Sequence, residues 1–182
     1  MAATPAPTAA PGALRRSLDA LYDGAAALAA VFMVLLLVMV LLSVLSRQLS
    51  FNIPGVDAYA GYMMAGAGFL ALAHTLKKGE HIRVTLLIGS LKGGWKHGFE
   101  IWALFAASLL ALLAAFYSSK LAWQSYAFQD ISTSNDATPL WLPELTMAIG
   151  TVVLAIAFID EFVLELRGER VVLVSEEASH NE

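Results

Sequence analysis

Four long apolar stretches divide this chain. The first runs from Gly24 to Ser46 without a charged side chain, and three more lie at about 57–76, 100–119 and 140–160, none with a charge at its centre. A helix needs about 20 apolar residues to cross roughly 30 Å of hydrocarbon. The pattern therefore predicts an all-α integral membrane protein with four transmembrane helices. The first of these spans covers about 24–46.

The residues outside these stretches predict one membrane domain with two tails. Residues 1–13 are mostly Ala, Pro and Thr, a composition that favours a disordered tail. Residues 168–182 form an acidic tail, and 14–167 form the four-helix membrane domain. The first apolar run exceeds the roughly 7 to 15 residues of a signal-peptide core, which favours a retained membrane anchor.

The positive charges predict that both termini are cytoplasmic. With the amino terminus inside, the outer side carries Arg47 and Lys120 alone, out of 11 Lys and Arg residues. Cytoplasmic loops collect Lys and Arg, so this distribution predicts the orientation of the chain in its membrane. The inner side then holds Arg15, Arg16, Lys77, Lys78, Arg83, Lys92, Lys96, Arg167 and Arg170.

Aromatic and basic residues at the ends of the spans are predicted to contact phospholipid headgroups. Trp95 and Trp102 flank the inner end of span three, and Trp123 belongs to an outer aromatic group. Trp is enriched at both membrane interfaces. Lys77 and Lys78, directly after span two, are expected to bind phosphates in the same way.

The amino-acid composition argues against several classes of function. Hydrophobic residues make up 58% of the 182 residues and charged residues 14%, which leaves little room for a catalytic domain outside the membrane. The chain has no cysteine, and its net charge of −4 gives no basic surface for nucleic acid. A transporter that handles a polar solute normally keeps an ionisable group at membrane depth. The absence of such a group from the span centres predicts a supporting subunit without enzymatic activity.

Span two has one face of small residues. Their spacing of three or four places them along one side of a helix, where they allow another helix to approach closely. This helix-packing face contacts either the chain's own bundle or a partner, and the sequence leaves both possibilities open. The face consists of Ala58, Gly61, Ala65, Gly68 and Ala71.

The segment between spans two and three is predicted to lie in the inner interface as a short amphipathic helix. Its charged residues come first and its apolar residues cluster after Arg83. Headgroup binding explains Lys77 and Lys78, but it gives no reason for Glu80, His81 and Arg83 to stand so close together.

Two other functions remain as alternatives. A membrane anchor of a redox complex would hold haem between paired histidines, whereas only His74 of the four histidines is predicted inside a span. A small autonomous transporter is disfavoured by the missing intramembrane charge, although backbone carbonyls at Gly66 and Gly68 could serve a solute.

The order of motifs resembles the small membrane subunit, the DctQ type, of tripartite ATP-independent periplasmic (TRAP) transporters. The resemblance covers about Leu14 to Arg167. Its most specific parts are the inner segment and the Pro-Trp-x-Pro start of span four. The residues that carry it are Phe51, Asn52, Lys77, Lys78, Gly79, Glu80, His81, Ile82, Arg83, Val84, Thr138, Pro139, Leu140, Trp141, Leu142, Pro143, Ile149 and Gly150.

This resemblance implies a role within a larger complex. Members pair with a large multi-span subunit of the DctM type, which moves organic acids such as dicarboxylates or sialic acid by an elevator-like motion. The large subunit is coupled to a sodium gradient and receives substrate from a periplasmic binding protein. The small subunit then acts as a fixed scaffold without a cofactor, and sodium coupling is expected in the partner.

Overall fold

The computed structural model describes residues 13–51, 53–77, 94–134 and 136–167, and these residues form four α-helices. Each helix is long and apolar enough to cross a membrane, which confirms the predicted fold class. The predicted tails, apart from Ala13, and the interfacial segment after span two lie outside the described residues. The helices are α1 (Ala13–Gln48), α2 (Val56–Lys77), α3 (Gly94–Phe128) and α4 (Trp141–Arg167).

All four helices are longer than the apolar spans predicted for them, and α1 and α3 exceed them most. Helix α1 begins eleven residues before Gly24, and α3 continues past the predicted end at 119 to Phe128. A hydropathy boundary marks the end of the hydrocarbon, whereas a helix ends where the backbone is interrupted. Residues 120–128 contain neither Gly nor Pro, so α3 stops only at Gln129, whose φ is 54°.

The helices form an open row rather than a closed bundle. Helix α1 packs on α2, α2 packs on α4, and α4 packs on α3; α1 touches α4 over a small area. In the described part of the chain, α3 packs extensively against α4 alone. Each helix in such a row keeps apolar surface for lipid or for another protein. Helix α1 is the clearest case, because side chains such as Val34 and Leu37 are well exposed along its length.

Small side chains allow α3 and α4 to pack closely. The buried residues of α3 recur at alternating spacings of four and three, which is the seam that supercoiled helices use. Ser118 Oγ lies 2.7 Å from Thr151 Oγ1 of α4, so a buried hydrogen bond joins the two helices. The seam on α3 consists of Leu104, Ser108, Ala111, Ala115, Ser118, Ala122 and Ser125.

Glycine makes the α2–α4 contact closer still. A Cβ added at Gly150 would lie 2.6 Å from both the carbonyl carbon and the carbonyl oxygen of Phe69, which are backbone atoms of α2. A Cβ at Gly66 would lie 2.8 Å from the ring of Phe32 on α1. These two glycines therefore hold α2 against its neighbours on both sides.

Candidate functional site

The most specific predicted residues lie where the structure gives no description. The motif Glu80, His81, Ile82, Arg83 and Val84 falls between 77 and 94, as does Lys78, so all six are outside the described residues. Trp95 belongs to α3, but its side chain is not among those described. The assignment of these residues to the inner interface stays a prediction.

Ion pairs and a histidine–carboxylate contact join three helices at the end of the row where α1 begins. Arg15 of α1 lies 3.3 Å from Asp160 of α4, and His74 Nδ1 of α2 lies 3.5 Å from Asp23 of α1. Lys77 of α2 contacts Asp19 of α1, one turn before Asp23. Because this end lies on the predicted inner side, we call these contacts the inner ionic cluster.

Lys77 thus has partners within the chain. Besides contacting Asp19, its Nζ lies 4.5 Å from the centre of the Tyr22 ring, a distance that allows a cation–π interaction. Tyr22 itself is 1% exposed and packs with Ala73 and Val153. The prediction treated Lys77 as a headgroup anchor and overlooked the aspartates of α1.

A sequence signal for this cluster exists. Asp19 and Asp23 are four residues apart on α1, and His74 and Lys77 are three apart on α2, so each pair lies on one helical face. Complementary charges at the same ends of antiparallel helices are expected to meet. Hydropathy alone does not draw attention to this signal, because Asp19 and Asp23 precede the uncharged run that defines the first span.

The predicted helix-packing face of α2 is the side that the chain leaves open. Gly61 and Gly68 are exposed, and a Cβ at either would have no described atom within 4 Å. Ala58, Ala65 and Ala71 on the same face are partly exposed. The residues of α2 that the chain buries are instead Val56, Gly66, Ala67, Leu70 and Ala73.

The connection between α3 and α4 is an ordered cap over the start of α2. Tyr62 donates a hydrogen bond to Asp136 Oδ2 at 3.0 Å, and Thr138 donates to the hydroxyl of Tyr59 at the same distance. The Ser132 amide donates to the Thr138 carbonyl, which closes the loop on itself. Because this end lies on the predicted outer side, we call this loop and its two tyrosines the outer cap. By itself, the polar run before Pro139 is typical of a solvated turn, and nothing in it indicates the contacts with the two tyrosines of α2.

Backbone geometry fixes the outer cap in place. Gly55, with φ 82°, precedes α2, and a Cβ there would lie 2.6 Å from the Cβ of Asp136. Ala137 also has a positive φ, of 47°, which lets the chain turn back toward α4. Close contact with Gly55 and two side-chain hydrogen bonds therefore hold the loop against α2.

The outer cap keeps the Asp136 carboxylate ionised. Burial raises the pKa of Asp136, but the polar groups of Thr138, Ser132 and Tyr62 around the carboxylate outweigh that effect and hold the pKa below its ordinary value. The cap is therefore a charged, hydrogen-bonded structure at neutral pH.

The predicted Pro-Trp-x-Pro residues lie around the start of α4, and two of the predicted aromatic anchors are exposed. Pro139 lies just before α4, Trp141 opens it and Pro143 falls in its first turn, where a missing N–H is tolerated. The Trp141 ring contacts Tyr126 of α3 edge-on at 5.7 Å. The predicted anchors Trp102 and Trp123 are 66% and 70% exposed, as expected of side chains that face lipid or headgroups.

The described residues offer little chemistry of their own. They contain no group of three His, Asp or Glu side chains that could hold a metal ion. His74, the one histidine whose side chain is described, faces Asp23. The structure instead has three surfaces that could bind other molecules. They are the open glycine face of α2, which holds Gly61 and Gly68, the inner ionic cluster and the outer cap.

These features define a class: a multi-pass membrane protein whose described surfaces suit association with lipid or with another protein. Residues 36–168 match the family model described as "Tripartite ATP-independent periplasmic transporters, DctQ component". The match covers most of the chain, and the chain therefore belongs to the DctQ family. No curated protein matches it significantly.

Membership in this family makes the chain the small membrane subunit of a TRAP transporter, and it confirms the resemblance seen in the sequence. The family is one of transporter components, which are in general not enzymes. A multi-pass position in the inner membrane and a place in a three-part system follow from the same match and the four apolar helices.

Proposed function

We propose that this chain is the non-catalytic scaffold of its transporter, holding the large DctM-type subunit in the bilayer while that subunit moves. The observation that carries the proposal is the open helix row, in which the glycine face of α2 has no partner among the described residues. Lipid tails give helices no hydrophobic reason to associate, so close packing through small residues supplies much of the association energy. A face of that kind suits a partner helix.

The charge distribution supports the same role. The stretches 24–46, 101–119 and 145–159 contain no Asp, Glu, Lys or Arg, and neither does 58–76. A carboxylate substrate or a sodium ion would find no ionised side chain at these depths. Substrate binding, sodium coupling and the elevator motion belong to the large subunit, and the small subunit needs no cofactor.

Each end of the small subunit has a partner in this proposal. With both termini cytoplasmic, the outer cap faces the periplasm and offers part of a contact surface to the substrate-binding protein. On the cytoplasmic side, Glu80, His81 and Arg83 bind headgroups or a carboxylate of the large subunit. The imported substrate is an organic acid such as a dicarboxylate or sialic acid, and its identity is set by the other two components.

Reconstitution tests the scaffold role. Vesicles receive the large subunit alone, this chain alone, or both, with the binding protein, a sodium gradient and a labelled organic acid. We expect uptake with both subunits, little with the large subunit alone and none with this chain alone. Uptake by this chain alone at the rate of the complex would establish the autonomous transporter instead.

A spectrum tests the redox alternative on the same samples. Haem bound between two imidazoles absorbs strongly in the Soret region, and a scaffold without a cofactor does not. Family membership favours the transporter function, and we expect the purified complex to show no Soret band. A stoichiometric band would identify a redox anchor.

A further inference from the structure

A polar cavity lies where α1 ends and α2 begins. Its volume is about 390 Å³, within the range of small-molecule sites. The connecting residues Phe51, Ile53 and Pro54 provide an apolar side. The polar residues that line it are Ser43, Ser46, Arg47, Ser50, Asp57 and Ser134.

Opposite charges stand side by side in this cavity. Arg47 Nη2 donates to Asp57 Oδ2 at 3.0 Å, and Ser43 Oγ donates to Asp57 Oδ1 at 2.6 Å. The side chains of Arg47 and Asp57 are 73% and 72% exposed. An exposed ion pair contributes little stability, so either partner can turn to a ligand at small cost.

The ends of α1 and α2 are expected to place the cavity at the depth of the lipid headgroups. Arg47 is in the last turn of α1 and Asp57 in the first turn of α2, and both helices are long and apolar enough to cross a membrane. Phe51, which lies between them in the sequence, is 45% exposed and adds apolar surface. A molecule in this cavity therefore meets headgroup chemistry on its polar side and acyl chains beside it.

We propose that this cavity binds the headgroup of a zwitterionic phospholipid with a primary amine, phosphatidylethanolamine. The phosphate binds Arg47 and the neighbouring serine hydroxyls, and the ammonium binds Asp57. A guanidinium presents several N–H donors and a carboxylate accepts several hydrogen bonds, so both can hold a ligand group besides each other.

Charge selects this headgroup over its relatives. A purely anionic headgroup, or free phosphate, would bind Arg47 while its charge lies next to the Asp57 carboxylate, which repels it. A choline headgroup carries the right charges, but its quaternary ammonium has no N–H to donate to Asp57. Only a headgroup with both a phosphate and a primary amine satisfies both side chains.

Native mass spectrometry of the full-length chain tests the proposal. The chain is released from nanodiscs of phosphatidylcholine that contain equal minor fractions of phosphatidylethanolamine and phosphatidylglycerol. We expect one retained phosphatidylethanolamine, about tenfold enriched over either competitor, a ratio that corresponds to about 1.4 kcal/mol. Soluble phosphoethanolamine and inorganic phosphate, added in separate arms, distinguish a free headgroup or ion from a lipid.

Variants locate the site. Arg47→Gln and Asp57→Asn should each abolish the enrichment, whereas Lys120→Gln, which removes the other cation predicted on the same side, should keep it. Circular dichroism and thermal unfolding check that each variant is folded. The selectivity of the unmodified chain is informative even if a variant fails to fold.

Several results would overturn the proposal. Equal retention of phosphatidylethanolamine and phosphatidylcholine would show that the amine is not recognised. Equal or stronger retention of phosphatidylglycerol would reduce Arg47 to a simple anion anchor. Enrichment that survives in both folded single variants would place the lipid elsewhere, and displacement by inorganic phosphate alone would make the ligand a free anion.

Discussion

Helix α2 carries glycines on two surfaces that look alike in the sequence and differ in the structure. Gly66 lies against Phe32 of α1, and Gly150 of α4 lies against the α2 backbone at Phe69. Gly61 and Gly68 have no described atom where a Cβ would stand. The first surface holds the chain together, and the second is available for another molecule. The presence of glycine on a helix therefore does not by itself reveal which surface packs within the subunit and which is left open.

The largest effect is expected from Gly150→Leu on the closed surface. The first added carbon would lie 2.6 Å from backbone atoms of Phe69, which no rotamer change relieves. The two helices must separate, and we expect a loss above about 3 kcal/mol, the upper end of the range for overpacked cores. Thermal unfolding in detergent, followed by circular dichroism, measures it.

Gly68→Leu is the matched control, because it makes the same change on the open surface of a neighbouring helix. We expect it to unfold within a few degrees of the parent. A smaller step, Gly66→Ala, should fall between the two, since the ring of Phe32 can move where a backbone cannot. Equal losses in Gly150→Leu and Gly68→Leu would show that the two surfaces are not distinct.

The second-largest effect is expected on assembly with the large subunit, when the open surface of α2 is changed. Gly68→Leu or Gly61→Leu should reduce copurification with the large subunit by about tenfold, or about 1.4 kcal/mol, because a bulky side chain prevents close approach of a partner helix. Tagged pull-down from membranes, with the expression level of both subunits measured, quantifies this. Normal copurification and transport in both variants would mean that the open surface faces lipid.

The sequence predicts the four helices but not which helices contact one another. Uncharged length fixes a span such as 24–46, because hydrocarbon thickness is a strong constraint. It does not fix the ends of α3, since Lys120 ends the apolar run while nothing up to Phe128 breaks the helix. Nor does spacing reveal whether the small-residue face that holds Gly61 or the side that holds Gly66 packs against the chain's own helices. That choice depends on the order of helices in the row.

The two polar surfaces also differ in how far the sequence predicts them. The inner ionic cluster was recoverable from local spacing, because Asp19 and Asp23 complement His74 and Lys77. The outer cap was not, because the contact between Tyr62 and Asp136 joins residues 74 positions apart. A polar loop before a proline gives no sign of the side chains on another helix that will bind it.

A smaller effect on stability is expected at the seam between α3 and α4. This seam also packs helices of the chain together, but it does not involve α2. Ser118→Ala and Thr151→Ala each remove one side of a 2.7 Å buried hydrogen bond. Such bonds in membrane proteins couple by about 0.6 kcal/mol on average. A double-mutant cycle of thermal stability should give a coupling of about that size. Strictly additive losses would leave the seam to packing alone.

The smallest effect is expected at the outer cap, and it appears as a pH dependence. The folded-state pKa of Asp136 lies below its ordinary value of 3.8, so its ionisation stabilises the folded chain above that value. This contribution is lost as the pH falls through the lowered pKa. Asp136→Asn should therefore unfold earlier than the parent at neutral pH, and the difference should vanish in acid.

Tyr62→Phe removes the hydrogen bond to Asp136 but keeps the charge of the carboxylate. It removes one of the donors that lower the pKa of Asp136 while the carboxylate remains, so the acid-dependent loss of stability should be smaller than in the parent and complete at a higher pH. The open glycine face carries no ionised group, and Gly68→Leu should keep the pH profile of the parent. If Tyr62→Phe also kept that profile, the cap would be held by its contact with Gly55, and its hydrogen bonds would have no part in fixing α2.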